Sequence, residues 1–264
     1  MKGQGKKIGL ALGSGGTRGL TIIGVIKSLE KHGIPIDYIA GSSIGAIVGG
    51  AYAIEKDITT IEDVALNFPY KGLLASMSDI GARGGLVQGN KFLDTIKQYI
   101  GEKKIEELTI PFTAVASDKN TGDAVLLERG SLADAMRASA SIPIFFEPYS
   151  TSTTELLDGG VSQQVPAETV RNMGADIVIA VNLSENTSTY DHKSKISLVQ
   201  HYILLLFRNL AAENCLHADI TISPNFDNVN IFDNIKNRQS LIDEGERATE
   251  EKIDQILDLI KRSN

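Results

Sequence analysis

"DYIAGSSIGAIVGGAYAI", residues 37–54, reads as a short apolar strand, a turn carrying two adjacent serines, and a helix from Ile44 to Ile54. A serine in a sharp strand-to-helix turn forms a nucleophile elbow, and glycines two residues before and after it relieve the crowding its backbone creates. Gly41 and Gly45 stand at that spacing around Ser43, which leaves Ser42 as the intervening residue. The alternative role for Ser43 is a helix N-cap, for which serine is equally suited.

Working outward, strand-like and helix-like segments alternate along the chain. "KIGLAL" ends in a glycine loop, followed by a helical stretch from Thr17 to His32 that Gly33 and Pro35 stop. "FTAVAS" and "AVLLER" read as strands, "LADAMRASA" as a helix, "TELL" as a strand, "AETVRNMG" as a helix and "DIVIAVNL" as a buried strand. A long helix, "KISLVQHYILLLFRNLAAENCL", precedes the strand "ADITIS", and a helix from about Ser240 to Lys261 closes the chain. This alternation predicts an α/β fold of three layers, helices covering both faces of a mostly parallel central sheet. Residues 67–88 alone look irregular and glycine-punctuated enough for a mobile flap.

Composition narrows the function classes. The 264 residues, 42% of them hydrophobic, suit a single domain over 1–264 with ample core. With 26 basic and 33 acidic side chains the net charge is -7, which argues against a nucleic-acid partner because phosphate contacts need a basic face. The single cysteine, Cys215, forms no internal disulfide and has no second thiol with which to hold a metal, so no metal is expected and a reduced, cytoplasmic setting is favoured. The apolar run Ile8–Leu12 is too short for a signal-peptide core, and "HYILLLF" falls far below membrane-spanning length. Membrane contact is expected to be peripheral at most.

"GSGGTRG", Gly13 to Gly19, lies between the first strand and the first helix. Consecutive glycines let backbone N–H groups converge, and a helix N-terminus adds partial positive charge, so the loop suits a phosphate or a transient oxyanion. It lacks the Gly-x-Gly-x-x-Gly of dinucleotide sites and the Gly-Lys-Ser/Thr of nucleotide P-loops, and no cofactor is expected. A right-handed crossover carries this loop and the elbow to the carboxyl edge of adjacent parallel strands. A nucleophile opposite a row of N–H donors is the geometry of acyl transfer.

The base is less evident. Of the four histidines, His32 ends the first helix at the opposite sheet edge, His192 sits in a polar loop, and His201 and His217 belong to the long late helix or its end. The last two would still fit the Ser, Asp, His order of an α/β-hydrolase triad. "LLDGG" places Asp158 at the end of a short strand before Gly159 and Gly160, where Asp-Gly also makes an ordinary turn. Burial would raise the carboxyl pKa toward that of a useful base, so a Ser-Asp dyad is physically permitted.

"GSGGTRG", "GSSIG" and "DGG", in this order and at these separations, resemble the patatin-like phospholipase family. "LTIIGVIKSLEKHGIPIDYIAGSSIGAIVGGAYA" is similar to its first half, and "MRASASIP" with "DGGVSQQVP" to its segments around the aspartate. The resemblance implies a patatin-like fold with a catalytic core over residues 8–171, completed by strands and helices in 172–264. It implies Ser43 as nucleophile, Asp158 as its base without a histidine, and the amides of Gly15, Gly16, Thr17 and Arg18 as the oxyanion hole, with Arg18 fixing the loop. The implied substrate is a lipid acyl ester, of the phospholipid or lysophospholipid class. Two departures stand out: Ser14 replaces the first glycine of the family's loop, and "SIPIFFEP" lacks the glycine expected near Ile144. A lipid-binding module without turnover remains the alternative on the same fold.

Overall fold

The structure, a computed structural model, describes residues 6–69, 72, 75–81, 85–185, 195–226 and 237–261, with the side chains of 195–201 left aside. His192 and part of the expected flap lie outside these residues. The central sheet contains β1 (Ile8–Leu12), β2 (Tyr38–Ser42), β4 (Phe112–Asp118), β5 (Ala124–Leu127), β7 (Tyr149–Ser150), β8 (Glu155–Asp158), β9 (Ile177–Val181) and β10 (Ile220–Ile222), while β3 (Gly85–Val87) and β6 (Ile144–Phe146) pair separately. Its order is β10-β9-β1-β2-β4-β8-β7, with β5 also on β4, and the run from β10 to β4 is parallel throughout. The α/β expectation therefore holds.

Side chains alternate across the sheet as a pleat requires. Ile8, Leu10 and Leu12 enter one core with Ile39, Ile177 and Ile179, under helices α1 (Leu20–Lys31), α2 (Ile44–Glu55) and α8 (Arg238–Glu250). Ala11, Ala40, Val178 and Ala180 enter the other, beneath α6 (Ala167–Asn172) and Ala211 of α7 (Lys195–Cys215). Across the first core α1 and α8 approach so closely that a Cβ on Gly24 or Gly245 would strike backbone of the facing helix.

Several elements differ from expectation. Residues Gly16–Gly19 form a 3-10 turn, so the first α-helix begins at Leu20 rather than Thr17; Gly16, at φ 57, turns the chain out of helical conformation. The closing helix is two helices, α8 and α9 (Ile253–Lys261), because the ladder tightens where Lys252 N–H donates to the Thr249 carbonyl. Helices α3 (Ile58–Asn67), α4 (Asn90–Ile100) and α5 (Leu132–Ser139) lie between these elements, the first two unforeseen. The described end of residues 67–88 is ordered: Gly85–Val87 pairs in parallel with Ile144–Phe146, and Ile80 bridges Val87.

One detail of the ladder positions the site. β5 takes residues 114–117 of β4, and a strand has only two edges. β2, paired with 112–115, and β8, paired with 116–118, must therefore share the other edge. They run in opposite directions and meet tip to tip, Ser42 opposite Val115 and Asp158 opposite Ala116.

Candidate active site

Ser43 follows the tip of β2 at φ 56, ψ -122, backbone that side-chain-bearing residues seldom occupy. The turn is held by hydrogen bonds: Ser43 N–H donates to Ser139 Oγ at 2.9 Å, and that hydroxyl donates to the Val115 carbonyl at 2.5 Å. Gly41 and Gly45 are close-approach positions, since a Cβ on Gly41 would strike the Gly45 backbone and one on Gly45 the Leu12 carbonyl. The two serines are now distinguished. Ser42 is fully buried and its hydroxyl donates to the Gln163 carbonyl at 2.6 Å, whereas the Ser43 side chain makes no capping hydrogen bond to α2.

Asp158 sits at the tip of β8. Its N–H donates to the Ser141 carbonyl at 2.9 Å and its carbonyl accepts from Ser117 Oγ at 2.8 Å, so the backbone is fixed on both sides. Oδ1 accepts the Gly160 N–H at 2.8 Å, while the buried Oδ2 has no partner of hydrogen-bond geometry. A Cβ on Gly159 would strike the Val115 carbonyl, so this residue lets β8 turn back against β4. Burial pushes the Asp158 carboxyl up to about 6, against the opposing pull of the nearby Ser43 hydroxyl and the Gly160 N–H. Hydroxyl and carboxylate thus lie side by side without an ideal bond between them, as catalytic pairs often do before substrate arrives.

The glycine loop faces this pair. Gly13 N–H donates to the Val181 carbonyl at 3.1 Å and Ser14 N–H to the Gln164 carbonyl at 2.9 Å, which ties the loop to β9 and to the segment after Asp158. The Arg18 N–H is also taken, by the Gly15 carbonyl at 3.2 Å, so this amide serves the loop rather than the cleft, contrary to the expected set. The Arg18 side chain does fix the loop: it is buried, donates to the Leu183 carbonyl at 3.3 Å and lies 4.8 Å from the Phe226 ring centroid. The amides of Gly15 and Gly16 take no part in the backbone bonds of the described residues.

A cleft of about 60 Å³ brings these parts together, lined by Ser14, Gly15, Gly16, Arg18, Ser43, Asp158, Gln164 and Ser184, with Ile142, Pro143, Leu204 and Phe207 as its apolar wall. Thr17 is not in the lining; it lies in the 3-10 turn. Gly41, Gly45, Gly159 and Gly160 shape the backbone from behind. Ser139, Gln164 and Ser184 carry no local signal in the sequence that marks them as site residues, whereas the two α7 residues belong to the apolar run "YILLLF". Among the described residues no histidine lines the cleft. His32 meets Glu250 at 2.9 Å, and His217 is exposed just before β10, at the opposite edge of the sheet.

Where a glycine was expected near Ile144, the residue stands at φ 72 and is 71% exposed. A β-branched side chain in the left-handed region carries a cost of roughly 1–2 kcal/mol. Ile144→Gly is therefore expected to raise stability by about 1 kcal/mol after allowing for glycine's extra unfolded-state entropy. Denaturant unfolding measures this, and a loss of stability would mean that the isoleucine is held by packing instead.

This arrangement, a serine in a strained strand-to-helix turn and a buried carboxylate at the carboxyl edge of a three-layer sheet, defines an α/β protein with a serine-lined cleft. The sequence profile of the family described as patatin-like phospholipase matches residues 10–171. The chain belongs to that family. An NTE family protein of Mycobacterium tuberculosis is 34% identical over 78% of this chain and 57% of its own length. Human patatin-like phospholipase domain-containing protein 6 is 32% identical over 70% of this chain and 14% of its own, so the chain spans only part of these relatives. The crystal structure of VipD from Legionella pneumophila superposes with a TM-score of 0.60 at 16% identity, covering 96% of this chain and 67% of that one, a likeness of fold.

Proposed function

We propose that the protein is a serine acyl hydrolase cleaving carboxylic esters of lipids, of the phospholipid or lysophospholipid class, through Ser43 and Asp158. One observation carries the reading: a strained serine, free of any capping role, lies beside a buried carboxylate whose pKa is lifted to about 6. Ser43 Oγ attacks the acyl carbonyl and its proton passes to Asp158. The carbonyl oxygen, now an oxyanion, accepts N–H bonds from Gly15 and Gly16, donors already in position when the charge develops. Collapse of the tetrahedral intermediate breaks the ester C–O bond, and Asp158 returns the proton to the leaving alkoxide. Water then repeats the sequence on the acyl-enzyme, releasing the fatty acid and restoring Ser43. No described helix is long and apolar enough to cross a membrane.

The base works only when ionised, so the sign of the pH effect is determined. kcat/KM on a soluble p-nitrophenyl ester should rise as pH increases through about 6 and level off above it. The same profile in His201→Ala and His217→Ala is expected. A profile governed by a group near pH 7 and lost in either histidine variant would replace the dyad with a triad.

A further inference from the structure

Three polar side-chain atoms converge over Gly160. A Cβ on that glycine would stand 2.8 Å from Ser14 Oγ and 3.0 Å from both Asp158 Oδ1 and Gln164 Nε2. Ser14, Asp158 and Gln164 line the cleft together with Ser43. Gln164 is 1% exposed, yet its Oε1 has no hydrogen-bond partner among the described residues. A buried amide left so is costly unless something enters the cleft to meet it. Ser14 is also where this chain departs from its family's loop, whose first glycine carries no hydroxyl.

A hydroxyl, a carboxylate and an amide around one point suit a water molecule. One of its O–H groups donates to Asp158 and the other to Ser14 Oγ, while the Gln164 N–H donates to one lone pair. These are about the three hydrogen bonds a buried water usually makes, and they leave one lone pair for an acyl carbon.

We propose that Ser14 and Gln164 seat the water that hydrolyses the acyl-enzyme, and that the Ser14 hydroxyl, by accepting that water's second proton, makes the site prefer water to an alcohol. The inference rests on the acyl-hydrolase reading of the cleft and names what completes the reaction. The water oxygen bonds to the acyl carbon as its proton passes to Asp158. Collapse breaks the bond from that carbon to Ser43 Oγ, which takes the proton back from Asp158, and a carboxylic acid leaves. An alcohol has a single O–H, which Asp158 must take, so it turns carbon toward Ser14 Oγ and leaves that hydroxyl without its partner.

Rapid-mixing assays with p-nitrophenyl butyrate, with and without methanol, test this. Release of p-nitrophenol reads acylation, and the ratio of methyl butyrate to butyrate reads the choice of acceptor whichever step is slower. Ser14→Ala should raise that ratio about tenfold, the worth of one hydrogen bond to a reacting atom, while slowing acylation roughly twofold at most. Gln164→Met should slow decay of the acyl-enzyme about tenfold and keep the wild-type ratio, since its N–H meets water and alcohol alike. Methionine fills the volume of Gln164 and leaves no amide orphaned, so the variant should fold. An unchanged ratio in Ser14→Ala would overturn the proposal. So would acylation slowed as much as decay in both variants, which would make these atoms a seat for the leaving group. Either result beside wild-type turnover leaves the hydrolase reading standing, whereas wild type that releases no p-nitrophenol removes both.

Discussion

Asp158→Asn is expected to lower ester turnover by about 10³-fold and, at neutral pH, to make the protein more stable. Both effects have one cause. The wild-type carboxyl rises from 3.8 to about 6 because its charge is buried. A group whose pKa is raised on folding contributes its full stability below the unfolded value, and that contribution is lost as pH rises through the folded value. Above about pH 6 the native state therefore carries an ionised, desolvated group, at a cost of roughly 2–3 kcal/mol for a shift of about two units. Asparagine keeps an oxygen for the Gly160 N–H but never ionises. Urea unfolding should show the variant more stable at pH 8 and indistinguishable from wild type near pH 4. Equal stability at both pH values would mean that the carboxylate is hydrated in the native state.

The second large effect concerns Ser43. Ser43→Ala and Ser43→Gly should both reduce turnover by roughly 10⁵ to 10⁶ and abolish covalent labelling by a fluorophosphonate. They should differ in stability. The backbone at φ 56, ψ -122 is a conformation that glycine adopts freely and alanine does not, so the glycine variant should exceed the alanine variant by about 1–3 kcal/mol. Labelling that persists in both variants and is lost in Ser42→Ala would move the nucleophile to the neighbouring residue, against the buried hydrogen bond of Ser42.

The parts of this architecture visible in the sequence were those governed by local rules. "KIGLAL" and "DIVIAVNL" announced buried parallel strands because residues covered on both faces must be apolar throughout, and β1 and β9 pair along their full length. The elbow was legible because Gly41 and Gly45 are obligatory wherever a helix turns back this tightly. What could not be read was set by distant contacts. Nothing near Ser139 says that its hydroxyl braces the elbow, since its partners are 96 and 24 residues away in the chain. Arg18 is legible as part of the glycine loop, but the taking of its amide by Gly15 follows from a 3-10 turn where an α-helix was expected. Strand β6 is not legible locally because three residues between Pro143 and Pro148 are too few to show a pattern, and its partner, Gly85–Val87, is distant in the chain.

The meeting of β2 and β8 on one edge of β4 makes the separation of Ser43 and Asp158 a matter of counting. Ser42, the residue before Ser43, and Asp158 are indexed to adjacent rungs, Val115 and Ala116, of a single strand. Lengthening the turn at Lys119–Asp123, beyond those rungs, leaves the count unchanged. One residue added between Val115 and Ala116 would part the two groups by a full strand step, about 3.3 Å, and turn every later side chain of β4 to the opposite face. The chemistry of the cleft thus has its ruler in a strand that contributes no side chain to it.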